Sequence, residues 1–518
     1  MVPSGRQRII TDWFIRGIHT EFQAYIRIFM RKIEVKIIDY AFICGYLTLN
    51  MHKSAPPAQG GSPAPLADVG AAGRCATSHV NDNQRPQEGI RRRDFIKQTG
   101  LALAGATTAS ALLTSTRRAI AASPTEITFA SAKFFGKETI AEIVEAYNAS
   151  QNKVRVVYKE LPPPSSSTEV HQALVQQLAR RNGNPDAFTL DIIWIAEFAD
   201  AKWALPLDEY FKADTLKEYF PGMVQACIWQ GKLAALPWFI DSGMFYYRKD
   251  LLEDIGAKVP ETWQEMVDSA KKITGAGKAK FGFLWQAKQA EVLVCDLVSF
   301  IGSNDGSILQ PDGKTVSIAD DAAIEAVQMM HDFIKKDQIS PEDILSWDEE
   351  PSRRPFTGGD AVFLRNWSYV WKVAQNPNES SVGGKVGVAP LPHFPNKKSA
   401  AALGGYQYGV NASTKNREAA IDFVRWMSSP ETQLQFATQL GLCPTRSAVL
   451  DDPKIAQEQP FMQQLKDVFV GAIGRPVTPK YPQVTLVLQS EISKALTTGD
   501  VKGALQSAKE KIQTIVKA

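Results

Sequence analysis

The chain has 518 residues, 44% of them hydrophobic, and a formal net charge of +3. Its cysteines, Cys44, Cys75, Cys227, Cys295 and Cys443, are widely spaced, which excludes a disulfide scaffold and a CxxC metal site. Residues 1–122 hold 16 of the 58 Lys+Arg and 8 of the 55 Asp+Glu, leaving 42 and 47; the remainder carries about −5, with no basic block that calls for nucleic acid.

Residues 1–90 are basic and apolar without a clean period, then rich in Pro, Ala and Gly over 54–89. They are read as an extension created by a start placed upstream of Met51, as disordered, or as an amphipathic anchor. Residues 91–122 have the three parts of an export signal: Arg91, Arg92 and Arg93, a weakly apolar stretch from Gly100 to Leu113, and the small-residue site Ala119-Ile120-Ala121. The order RRDFIK from Arg92 resembles the twin-arginine pattern that exports folded proteins, and Arg117 and Arg118 near the cleavage site fit that route. The apolar run is too short to span a bilayer. No lipid-acceptor cysteine follows it, so a soluble periplasmic protein is expected.

From Glu126 onward, short apolar strands alternate with amphipathic helices. ITFA, VRVVYKEL and LDIIWI read as strands, with ETIAEIVEAYNAS and EVHQALVQQLARRNG as helices between them. This alternation predicts a parallel α/β sheet. The stretch LPWFIDSGMFYYRKDLL follows, an apolar run with one acid, Asp241, in its middle. A buried, unpaired carboxylate is costly, so Asp241 should reach a ligand, or else cap a turn before Gly243. ETWQEMVDSAKKITGAG, EVLVCDLVSFIGSN and DDAAIEAVQMMHDFIKKDQ predict helices, and FGFLWQ, DAVFLRNW, KVGVAPLP and YQYGVNAS strands. REAAIDFVRWMSSPETQLQFATQLG, QPFMQQLKDVFVGAI and a closing pair read as helical. Nearly 400 residues after the signal exceed one comfortable core, so two α/β lobes are expected.

The order and spacing of LDIIWIAEFADAKWALPLDEY, LPWFIDSGMFYYRKDLL, FGFLWQAKQAE, FLRNWSYVWKVA, GGYQYGVNASTKNREAAIDFVRWMSSPETQ and GRPVTPKYPQV resemble the maltose/trehalose-type extracellular solute-binding proteins of ABC importers. The resemblance covers nearly all of 124–518. It implies two lobes, each a mixed sheet flanked by helices, with a sugar held in a cleft at hinge crossings near 236–250 and 404–412. The lobes would be discontinuous, 123–238 with 406–460 and 239–405 with 461–518. It further implies a di- or oligosaccharide ligand, an ABC permease as partner and a monomer.

In that setting Asp241 accepts hydrogen bonds from sugar hydroxyls and Phe239 walls the cleft, since hydroxyl edges suit carboxylates and C–H faces suit aromatic rings. Asp191 and Glu197 bracket the end of LDIIWI, where open α/β sheets bind ligands. Glu197 also suits a helix N-terminus, and Trp194 either a platform or the core. By the resemblance, Trp367 and Tyr406 are stacking rings, and Arg475 offers donors to ring hydroxyls. Gly404 and Gly405 allow close backbone approach. Gln286 and Glu291 are weaker candidates, because Ala290 stands where the family has a tyrosine. The first strand-to-helix loop has Lys133 where an acid is expected, and no role is carried over to it. No cofactor, metal or catalytic residue is expected: His171, His331 and His393 lack ligand spacing, and no GxSxG, HExxH, P-loop or GxGxxG occurs. Acids among aromatics would also suit a polyamine-binding protein of the same kind or a glycoside-acting enzyme.

Overall fold

The computed structural model describes residues 123–517 apart from 135–137 and 311. The extension 1–90 and the export signal 91–122 lie outside the described residues. In chain order the strands are β1 (Thr125–Ala132), β2 (Val154–Leu161), β3 (Ala187–Asp191), the pair β4 (Ile228–Trp229) and β5 (Lys232–Leu233), β6 (Leu236–Pro237), β7 (Phe239–Ser242) and β8 (Met244–Arg248). They continue with β9 (Phe281–Leu284), β10 (Ala361–Asn366), β11 (Val386–Ala389), β12 (Ala401–Gly404), β13 (Tyr406–Val410), β14 (Cys443–Pro444) and β15 (Ala472–Ile473).

Two large sheets share the molecule, in the orders β2-β1-β3-β13-β6 and β11-β8-β10-β9. Both are mixed. β1 is parallel to β2 and β3 while β13 runs antiparallel to β3 and β6, and β10 is parallel to β9 but antiparallel to β8. The parallel sheet expected from alternation is therefore broken wherever the chain returns from the other lobe. A small third sheet, β14-β7-β12-β15, lies at the passages. The run 236–248 supplies one strand to each of the three sheets, and 401–410 returns through β12 and β13.

Each large sheet has its own hydrophobic core, one including Phe129, Leu190, Trp238 and Phe423, the other Phe245, Phe283, Phe300 and Phe363. The division falls between consecutive residues: Phe239 packs in the first core and Ile240 in the second. Alternating strand side chains at a crossing make this possible. After β13 the first core includes Phe423, Phe436, Leu440 and Leu442, and Ala437, Cys443, Leu450, Ile455 and Phe461 pack in the second. Cys227, Cys295 and Cys443 are free and buried.

Local chemistry moves some boundaries. The strand read as LDIIWI ends at Asp191, whose carboxylate accepts the Ile193 N–H at 3.2 Å and caps a 3-10 turn, Ile192–Trp194. The helix Ile195–Asp200 follows at once. The long helix expected from REAAIDF splits into Arg417–Met427 and Pro430–Leu440, because Ser429 accepts the Thr432 N–H and Pro430 starts a new first turn. Helix Trp263–Gly275 begins with the capping box Thr262/Glu265.

Candidate functional site

A cavity of about 480 Å³ opens between the two cores, over the crossing strands. Asp241 on β7 and Gly404 on β12 face each other in register on its floor. Gly405 has φ +120°, and a Cβ there would lie 2.3 Å from the Phe239 carbonyl oxygen, so only glycine lets the two crossings run this close. The Gly405 carbonyl in turn accepts the Ile192 N–H at 3.1 Å, joining the floor to the turn after β3.

Aromatic rings form two walls. Tyr406 stacks on Phe239 with centroids 6.1 Å apart and an interplanar angle of 14°, and the edge of Phe134 meets Tyr406 at 5.0 Å. Opposite them, from the second lobe, stands Trp367. Its indole lies beside Gly404, where a Cβ would sit 3.1 Å from the ring, and the Arg365 guanidinium lies over the ring at 4.3 Å. Arg365 itself is buried in an ion pair with Asp296 at 2.7 Å. Gly243 makes room for it: a Cβ there would lie 2.9 Å from Nε and Nη2.

Carboxylates complete the lining. Asp241 is buried, and its Oδ1 accepts backbone N–H groups from Ser242 at 2.9 Å and Ser368 at 3.1 Å. Burial pushes its pKa up to about 7 against the pull of those donors. Both readings of Asp241 therefore meet in one residue, a tie between two segments and an acid facing the cavity. Asp191 and Glu291 share Arg475, which donates to Asp191 Oδ1 at 3.1 Å and Glu291 Oε1 at 2.8 Å, linking the first lobe to the second. Glu291 also accepts the hydroxyls of Tyr481 and Thr485. Burial raises the Asp191 carboxyl, and the guanidinium opposes the shift.

Asp191, Phe239, Asp241, Glu291, Trp367, Gly404, Gly405, Tyr406 and Arg475 all line the cavity. Three other candidates do not. Trp194 is packed in the first core, stacked on Phe198 and edge-on to Tyr406 at 6.1 Å, so it supports the wall from behind. Glu197 pairs with His171 Nε2 at 2.5 Å, because the turn after Asp191 rotates it away from the strand end. Gln286 is consumed by a buried network, donating to Ser352 Oγ and the Arg365 carbonyl at 2.8 Å and accepting from Arg365 Nη1 at 2.9 Å.

Sequence reasoning missed Phe134, Cys295, Glu349, Glu350, Arg354 and Tyr369, and assigned nothing to Lys133; all seven line the cavity. Lys133 pairs with Glu138 at 2.9 Å and Glu160 at 3.1 Å. Glu350 is held by Arg353 and Tyr369. Glu349 is different: Oε1 lies 3.4 Å from Trp367 Nε1, while Oε2 is enclosed without a hydrogen-bond partner. The Tyr406 hydroxyl and Arg475 Nε are likewise enclosed and unmatched. Together they leave two donors and an acceptor unmatched behind the cavity lining.

The profile of the bacterial extracellular solute-binding proteins matches residues 136–434. Among solved structures, maltose-bound MalE3 of T. maritima is 37% identical, covers 75% of this chain and 99% of its own, and superposes with a TM-score of 0.70. A probable ABC transporter-binding protein of Deinococcus radiodurans is 35% identical over 338 residues, 63% of this chain and 79% of the relative. A maltotriose-binding protein of Pyrococcus abyssi is 26% identical over 385 residues, 72% and 79% of the two chains.

Proposed function

The chain belongs to the bacterial extracellular solute-binding proteins, and from that premise we propose that it captures a di- or oligosaccharide between its lobes and delivers it to an ABC permease. The observation that carries this reading is the cavity itself, in which the Phe239–Tyr406 pair and Trp367 face each other across Asp241, Glu349 and Arg475. Rings take the C–H faces of a pyranose, and ionised carboxylates take its hydroxyls in charge-assisted bonds. The likeness to maltose-bound MalE3 supports the choice of sugar class. Asp191 and Glu291 hold Arg475 in place, and Gly404 and Gly405 let the ligand lie against backbone.

The relatives named above are binding proteins, and a capture role needs no bond-making chemistry. Both cores contribute walls, so closing the lobes on a ligand adds contacts that an open form lacks. The protein acts as a monomer with the permease's membrane subunits as its partners. Arg92 and Arg93 direct export of the folded chain by the twin-arginine route to the periplasm; no helix among the described residues is long and apolar enough to cross a membrane.

Titration of the purified protein while following tryptophan emission tests the reading, since Trp367 lines the cavity. Maltose or maltotriose should give a saturable change and spermidine none. Saturation by spermidine alone would transfer the protein to polyamine capture.

A further inference from the structure

We propose that His171 and Glu197 are positioning residues for ligand capture: outside the cavity, their hydrogen bond registers the lining segment 163–167 against the turn that Asp191 caps. The inference rests on the reading of this cavity as the capture site.

Pro163, Pro164, Ser165 and Ser167 line the cavity. They belong to a 3-10 turn, the proline before it and the start of the helix Ser167–Leu178. No side-chain cap fixes this start, because Ser166 at the N-cap makes no such bond. Val170, Leu174 and Leu178 hold the helix in the first core. Apolar packing is non-directional, so it sets the depth of the helix and leaves its sliding and rotation to be fixed by something else. His171 is one turn on from Ser167, on the same face of the helix. Its Nε2 lies 2.5 Å from Glu197 Oε2, and the two side chains, 14% and 20% exposed, shelter the contact from water. A hydrogen bond has the directionality that packing lacks.

The far end of the bond is tied to the floor. Glu197 is on the helix Ile195–Asp200, which follows directly on the 3-10 turn Ile192–Trp194 that Asp191 caps. The Ile192 N–H in that turn donates to the Gly405 carbonyl. The His171 ring also lies 5.4 Å from Trp194, which meets Tyr406 edge-on at 6.1 Å. One polar contact thus connects the 163–167 lining to the floor and to the back of the Tyr406 wall. Stability does not require it, since a sheltered acid–base pair can often be replaced by apolar residues of similar volume without loss. What the apolar replacement gives up is the fixed register.

The test compares wild type with the double variant His171→Leu/Glu197→Leu and with Glu197→Gln, which keeps an acceptor at the same reach. Amide hydrogen exchange over 165–175 is measured without ligand, and maltose and maltotriose affinities by calorimetric titration, beside melting temperatures. The double variant should exchange about three- to tenfold faster over 165–175 and bind sugar weaker by a similar factor, the loss of one net hydrogen bond, at an unchanged melting temperature. Glu197→Gln should stay within about twofold of wild type in both. Unaltered exchange or unaltered affinity in the double variant overturns the inference. So does a double variant that fails to fold, or whose melting temperature falls along with its affinity, since the pair is then merely structural. Wild-type protein silent to both sugars overturns the sugar reading instead, and the exchange comparison, made without ligand, still decides whether the pair sets the register.

Discussion

Asp241 is the residue at which stability and binding pull in different directions. Its carboxylate, like that of Asp296, is pushed up to about 7 by burial, against about 3.9 in an unfolded chain. Between about pH 4 and 7 the folded state therefore holds protons that the unfolded state has released. Stability falls as pH rises through that window and is flat above it, by roughly 4 kcal/mol per carboxylate at most. Asp241→Asn keeps an oxygen for the Ser242 and Ser368 N–H groups but removes the charge. It should melt higher than wild type at pH 8, with a shallower fall in melting temperature between pH 4.5 and 7.5. Asp241→Ala leaves both N–H groups without that acceptor, so it should be less stable than Asn by about 1–3 kcal/mol. Both variants should lose on the order of tenfold to a hundredfold in sugar affinity at pH 8. An Asn variant with the wild-type pH slope would refute this account. Asp241 was legible because an acid inside an apolar run demands a reason. Glu349 was not: DEEPSRR reads as a solvated helix start, and only folding brings it to Trp367, 18 residues on.

Among the elements, the two crossings carry the design; the resemblance places them near 236–250 and 404–412, but their division into strands was the least legible. The run 236–248 reads as one apolar strand, yet Pro237 and Gly243 separate it into pieces belonging to three sheets. β12, AALG, has residues of low strand propensity and gives no strand signal; pairing with β7 makes it one. By contrast the helices 139–150, 263–275, 291–302 and 321–335 stand close to where periodicity and caps place them. The floor glycines give a graded test. Gly405→Ala combines φ +120° with a Cβ 2.3 Å from a backbone oxygen, neither of which can relax locally. It should cost about 1–3 kcal/mol or more of stability and much of the affinity. At Gly404 the Cβ would meet only the Trp367 ring, at 3.1 Å, which can shift by a few tenths of an ångström. Gly404→Ala should keep most of the stability and weaken binding alone. Calorimetric melting and sugar titration on the pair check the order, and equal stability of the two variants would contradict it.

At the scale of the whole molecule, the lobes are joined by more than backbone: Arg475 holds Asp191 on one side and Glu291 on the other. The second core is assembled from discontinuous segments, and helices 481–498 and 501–517 pack in it far along the chain from β8 and β9. Replacing Arg92 and Arg93 by lysines should leave precursor in the cytoplasm, as fractionation with an antibody would show, and normal accumulation outside would exclude the twin-arginine route. The three buried cysteines give folding before export a chemical consequence. Thiolate, not thiol, attacks a disulfide, and burial pushes Cys295 up to about 12 and raises Cys227 and Cys443 as well. On the proposed route, folding in a reducing cytoplasm would bury Cys227, Cys295 and Cys443 before the chain met an oxidising compartment. Threaded across unfolded, it would expose an odd number of reactive thiols to mispairing during the long search for its own closing helices. Packing thus keeps Cys227, Cys295 and Cys443 in the unreactive thiol form without any disulfide among them.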